Sequence, residues 1–140
     1  MGQQQDRGDC RTVPLLWLDH INIRTSNVVA LANFYHRVLG LESSPRPPFS
    51  FGGRWLYWGD KAWVHLVETA EQPRVDEIRI EHFAIRAQGL DEFLAHLKSL
   101  DPPYRLSDVP DYHIRQVNVY DPDGNRIEIQ FDMTAEPGSP

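Results

Sequence analysis

Four side chains in this sequence have the types and spacing to share a divalent metal ion: His20, His65, His82 and Glu128. His20 and His82 stand in nearly matching phrases, LDHINIR at 18–24 and IEHFAIR at 80–86, and are 62 positions apart. His65 and Glu128 stand in the strand-like runs WVHLVE and RIEIQF and are 63 positions apart. Offsets that agree to within one residue are the mark of a tandem duplication, in which each copy supplies the same two positions. Imidazole and carboxylate groups set among isoleucine, valine and phenylalanine are costly to bury unless something satisfies them. A first-row divalent cation does so, and this donor set suits Fe, Zn, Ni, Mn or Co without selecting among them. The expectation is one divalent metal ion per site.

The elements that must carry these groups can be read from period and punctuation. LLWLDHINIRT alternates as a strand, and VVALANFYHRVLG follows with Ala30, Phe34, Val38 and Leu31, Leu39 at helical spacing before Gly40. LESSPRPPF and the glycine-bearing FSFGGR lead to WLYW and AWVHLVE, which Gly59-Asp60-Lys61 joins as a hairpin. QPRVDE, 72–77, is a polar linker, and the order then begins again. IRIEHFAIRA reads as a strand, and GLDEFLAHLKSL as a helix with Phe93, Leu94, Leu97 and Leu100 on one stripe, stopped by Pro102 and Pro103. YRLSDVP, IRQVNVY and RIEIQF supply three more strands, the last two joined by the turn sequence DPDGN.

Each half therefore reads βαβββ. The expected organisation is a loose leader over 1–13, a first module over 14–70, a second over 78–133, and a loose tail over 134–140, with 14–133 forming one domain. The expected fold class is α+β: two tandem βαβββ modules whose mixed sheets close into a cup or barrel with helices outside. Strands have a period of two, so His20 and Asn22 oppose Ile21 and Ile23, and His82 opposes Phe83. His65 likewise opposes Val64 and Leu66, and Glu128 opposes Ile127 and Ile129. With the apolar faces under the helices, all four ligand-type residues line the concave side.

Composition narrows the partner. Fourteen Lys plus Arg against 20 Asp plus Glu give a formal net charge of -6, which argues against a nucleic-acid surface or a polybasic membrane patch. A small molecule is the expected partner. No run approaches a membrane span, and the leader MGQQQDRGDC lacks the apolar stretch of a signal peptide. The single cysteine, Cys10, excludes an internal disulfide framework and a cysteine-rich zinc site. A cytoplasmic protein is expected.

With LDHINIR and NFYHRVLGLE in the first module, and IEHFAIR and VYDPDGNRIEI in the second, the sequence resembles the vicinal oxygen chelate superfamily. That superfamily includes glyoxalase I, methylmalonyl-CoA epimerase, extradiol dioxygenases, fosfomycin-resistance enzymes and bleomycin-binding proteins. The resemblance covers Leu15 to about Asp132, and GRWLYWG and WVHLVE are similar to small glyoxalase-like members. It implies that His20, His82 and Glu128 are metal ligands. His65 matches the fourth position, often Glu in glyoxalases and Gln in epimerases, so it is a fourth ligand or a base. It also implies a homodimer whose modules pair within one chain or between chains.

The activity this implies is a metal-dependent glyoxalase-like lyase or isomerase. It would act through chelation of neighbouring substrate oxygens and an enediolate-type intermediate, with His65 and Glu128 catalytic. Alternatives are an Fe(II) extradiol-type dioxygenase cleaving an aromatic diol, and a non-catalytic protein that binds an antibiotic or aromatic ligand. Asn22, Phe51, Trp55, Asn118, Tyr120 and His113 are the expected substrate-binding residues. Arg24, Arg86 and Arg115 are candidate clamps for an anionic substrate.

Overall fold

A computed structural model describes residues 16–76 and 78–136. The leader over 1–13 with Cys10, and the end of the tail, lie outside the described residues. Ten elements follow the expected order. The first module comprises β1 (Ile21–Thr25), α1 (Val28–Leu39), β2 (Glu42–Ser44), β3 (Gly53–Trp58) and β4 (Lys61–Glu68). The second comprises β5 (His82–Ala87), α2 (Leu90–Leu100), β6 (Tyr104–Val109), β7 (Ile114–Tyr120) and β8 (Arg126–Asp132). Gly40, at φ 75°, closes α1 in the left-handed conformation that a glycine adopts without strain.

Each module forms its own four-stranded mixed sheet, in the orders β1-β4-β3-β2 and β5-β8-β7-β6. The fold is α+β as expected, but the two sheets are not closed into a barrel. Among the described residues, β1 and β5 each remain an edge, paired on one side only, to β4 and β8 respectively. Both leading strands are shorter than their alternation suggests. Ile21 pairs with Val64, so residues ahead of it would have to pair with Lys61–Trp63, where the ladder between β3 and β4 is already irregular. His82 pairs with Arg126, the first residue of β8, so residues ahead of His82 meet no strand. Leu16, Trp17, Leu18, Ile78 and Ile80 consequently stand exposed.

The core lies on the faces opposite the histidines. Leu31, Tyr35 and Val38 of α1 pack with Leu56, Val64 and Leu66, and Leu90 and Leu97 of α2 belong to the same cluster as Ile127, Ile129 and Phe131. Burying a side chain such as Phe131, with no exposed surface, stabilises the fold by about 1.5–3 kcal/mol. The apolar stripe of α1 is rotated from the one its spacing suggests: Ala30 is exposed, while Tyr35 is wholly buried. Tyr35 tolerates this because its hydroxyl donates to Asp121 Oδ2 at 2.9 Å. Burial raises the Asp121 carboxyl above its ordinary value, against hydrogen bonds from Asn125, Tyr35 and Asp123 that lower it.

That contact is part of the seam between modules. The buried Thr25 Oγ1 donates to Asp123 Oδ2 at 2.5 Å, so the DPDGN turn of the second module is tied to the end of β1. Within the described residues, Thr134 and Glu136 are anchored by hydrogen bonds. Glu136 accepts from the backbone N–H groups of Gly89 and Leu90, capping the N-terminus of α2. Among the described residues, no helix is long and apolar enough to cross a membrane.

Candidate functional site

The parallel pairing of β1 with β4 puts Asn22 beside His65, and β3 adds Trp55 across from it. These side chains share one face, and His20, just ahead of β1, joins them. The result is a stack of three near-parallel rings. The His20 and His65 centroids are 3.7 Å apart with planes at 12°, and those of His65 and Trp55 are 4.0 Å apart at 10°. His65 is 8% exposed. Desolvation lowers its pKa from the ordinary imidazole value, the nearby His20 lowers it further, and the Ala62 backbone and Asp19 oppose both. His20 Nδ1 donates to Asp19 Oδ2 at 2.6 Å, which leaves Nε2 as the open nitrogen.

A β-bulge shapes this face. Leu56 and Tyr57 of β3 oppose Val64 and Ala62 of β4, so Trp63 is the extra residue. It stacks on Trp58 at 6.0 Å, away from His65, and Ala62 takes its place on the histidine face. A cavity of about 600 Å³ opens there, lined by Trp17, His20, Trp55, Tyr57, Lys61 and His65 among others. Gly53 begins β3 so close to β4 that a Cβ would collide with the Leu66 carbonyl oxygen.

The second module places its pair differently. β5 and β8 run parallel with Ala84 beside Glu128, and the His82 side chain reaches over so that Nε2 lies 3.4 Å from Glu128 Oε1. Glu128 is 7% exposed. Its other oxygen, Oε2, accepts from Gln116 Nε2 at 3.0 Å and from Gln130 Nε2 at 3.3 Å. Gln116 is held in turn by Ser107 Oγ at 3.1 Å, and Ser107 by Asn118 Nδ2 at 3.2 Å. One carboxylate oxygen is thus fixed by amides and the other is presented toward His82. Arg126 completes the group, with Nη2 2.7 Å from His82 Nδ1 and 2.6 Å from Glu81 Oε1.

The remaining expected residues separate by position. Asn118 is buried beside Glu128, and Tyr120 is in register with Arg126. Phe51 lies farther out, stacked on Phe49 at 4.8 Å and capped by the Arg46 guanidinium. His113 sits in the β6–β7 hairpin at φ 52°, its carbonyl accepting from Met133. That hairpin joins β7 four residues from the Asn118–Glu128 pair, about 13 Å along the strand. Arg115 is engaged by Asp108 at 2.8 Å, whereas Arg24 and Arg86 share the faces of His20 and His82. The sequence pattern does not by itself single out Arg126, Ser107 or Asp19. The alternation Arg126, Glu128, Gln130 only sets the first of them on the face of Glu128.

The donor chemistry, three imidazoles and a carboxylate with a free oxygen, fits a divalent first-row metal. Among the described residues, however, no group of three or more His, Cys, Asp or Glu side chains is arranged to hold a metal ion. One chain offers the set as two pairs, His20 with His65 and His82 with Glu128.

Comparison with known proteins gives this arrangement a context. The pattern of the Glyoxalase/Bleomycin resistance protein/Dioxygenase superfamily matches residues 17–129. The chain is 28% identical to Glyoxylase I 4 of Arabidopsis thaliana over 123 residues, covering 80% of this chain and 68% of that one. It is 31% identical to Metapyrocatechase of Geobacillus stearothermophilus over 128 residues, covering 86% of this chain and 38% of that one. A glyoxalase family protein of Bacillus anthracis shares the fold, with a TM-score of 0.71 at 23% identity over 88% of this chain and 99% of that one.

Proposed function

Because the chain belongs to the Glyoxalase/Bleomycin resistance protein/Dioxygenase superfamily, we propose that it is a metal-dependent lyase or isomerase acting on a small molecule with two neighbouring oxygens. His20, His82 and Glu128 would hold the metal, with His65 beside it as the base. A bound divalent metal supplies Lewis-acid stabilisation of negative charge on the substrate oxygens. The observation that carries the reading is His65. Its lowered pKa leaves it unprotonated at neutral pH, so it can accept the proton from the carbon beside a substrate carbonyl. His20 and Trp55 cover both faces of its ring and restrict it to one orientation. Gln116 and Gln130 keep Glu128 aimed outward, while Trp55 and Tyr57 line the open cavity beside His65.

The two pairs are joined by a second copy of the chain. In the homodimer proposed here, His20 and His65 of one protomer meet His82 and Glu128 of the other. Two features support this: the pairs are separate among the described residues of one chain, and the edges beside β1 and β5 carry exposed Leu16, Trp17, Leu18, Ile78 and Ile80. Unpaired edges and exposed apolar residues call for cover.

The competing reading is ring cleavage of an aromatic diol with Fe(II) and O2. The aromatic lining of the His20 cavity and the 31% identity to a protein named Metapyrocatechase favour it. A panel of Zn(II)-, Ni(II)- and Fe(II)-loaded protein against 2-oxoaldehyde adducts and catechols decides between them. We expect solvent deuterium to enter the substrate carbon without O2 uptake. His65→Ala should lower that exchange by about 10²- to 10⁴-fold, the scale of a lost general base. Ring opening coupled to O2 uptake would replace the lyase reading with the dioxygenase one.

A further inference from the structure

The duplicated phrases LDH and IEH put a carboxylate immediately before each candidate ligand, Asp19 before His20 and Glu81 before His82. In the first module the carboxylate does what this adjacency suggests. It takes the Nδ1 proton of His20 at 2.6 Å, fixing the tautomer whose Nε2 lone pair is free. In the second module the equivalent pair is broken, with Glu81 Oε2 3.8 Å from His82 Nδ1. Arg126 stands between them. Its Nη2 lies 2.6 Å from Glu81 Oε1 and 2.7 Å from His82 Nδ1.

An arginine has donors only, so a contact at 2.7 Å requires His82 Nδ1 to accept. The proton of a neutral imidazole is then on Nε2, directed at Glu128 Oε1 at 3.4 Å. Nε2 in that state has no lone pair to give. The same guanidinium lies 3.7 Å from Glu128 Oε1, close to where a bound cation would take that oxygen.

From this geometry we infer that Arg126 is an internal gate on the second-module ligand pair, holding His82 in the tautomer that cannot ligate through Nε2 until Glu81 takes its place. Opening moves Arg126 off His82 Nδ1 and brings Glu81 onto it. One proton relocates from Nε2 to Nδ1 by way of solvent, with no net change in charge. The open arrangement is the one the first module already has. That module has no gate, because the position 63 residues before Arg126 is Trp63, which the β-bulge turns to the other face. Arg126 Nε is buried without a partner, so the closed arrangement leaves a donor unsatisfied and is poised to open.

The inference rests on the proposed ligand role of His82, and its test separates the two. Imidazole nitrogen shifts in the metal-free wild-type protein should show His82 protonated on Nε2 and His20 on Nδ1. In Arg126→Met the His82 proton should move to Nδ1. Co(II) titration of the full chain against a competing chelator should show Arg126→Met binding at least about tenfold more tightly, and Glu81→Gln about 10- to 100-fold more weakly, the usual scale for a lost partner of a ligating histidine. Where the wild-type protein binds Co(II), weaker or unchanged binding in Arg126→Met would overturn the gate, as would a wild-type His82 already protonated on Nδ1. If neither protein binds Co(II) while the tautomer still follows Arg126, the hold on His82 stands and the metal reading fails.

Discussion

The two half-sites occupy the same positions of a duplicated module and are built by opposite means. The first is a stack of rings: His20, His65 and Trp55 lie face to face, and His65 is shifted chiefly by loss of water. The second is a network of charge and amide, in which Glu128 is gripped on Oε2 while Arg126 bridges Glu81 and His82. Contacts of the first kind orient a ring without fixing its charge. Those of the second fix which oxygen is presented and which nitrogen carries the proton. Duplication therefore preserved the location of the candidate ligands, while differences two positions along the strand, Trp63 against Arg126, and directly across on the neighbouring strand, Trp55 against Asn118, gave each half its own electrostatics.

The largest expected effect tests whether the halves belong to one site. His20→Ala and His82→Ala should each abolish tight metal binding. Coexpressed, they should regain about a quarter of the wild-type sites, because half the dimers are mixed and each mixed dimer has one intact site of two. Metal analysis of purified dimers reads this. No recovery would mean that both halves of a site come from one chain.

A smaller effect should follow from loosening the network in the second half. In Gln116→Leu, Glu128 Oε2 loses its 3.0 Å donor and the carboxylate is free to rotate. Metal affinity should fall by about 10- to 100-fold with little change in melting temperature. An equal loss in Trp55→Ala would erase the distinction between the two halves.

The smallest effect concerns the stack. Trp55→Ala should cost about 0.5–1.5 kcal/mol beyond lost area, the range for an aromatic pair, and should re-expose His65. Because the folded-state pKa of His65 lies below its ordinary value, the folded protein holds fewer protons there than the unfolded chain. Its contribution is a loss of stability as pH falls from about 6.5 through the lowered value. In Trp55→Ala that loss should shrink as the pKa returns upward. Melting curves across this window, with imidazole shifts of metal-free protein, check both the sign and the size.

Much of this molecule is legible in the residues themselves. The repeat of LDHINIR as IEHFAIR, the alternation in each strand and the DPDGN turn are local features, and local sterics with period-two side-chain placement were enough to give the element order and the face of each candidate ligand. The rotated stripe of α1 was not legible. Whether Tyr35 faces inward depends on Asp121, 86 positions away, being there to accept its hydroxyl. The bulge at Trp63 is likewise invisible in a run that alternates cleanly on paper.

The sequence by itself determined two βαβββ modules and the four positions that carry imidazole or carboxylate, because backbone periodicity is a property of neighbours along the chain. Only the tertiary structure decided that these positions form two separate pairs in one chain, that His65 is desolvated between two rings, and that Arg126 intercepts the contact between Glu81 and His82. Burial, tautomer and pairing depend on which strands lie side by side and in which register. Those distances are set by packing across the sheet, between residues that are dozens of positions apart in the chain.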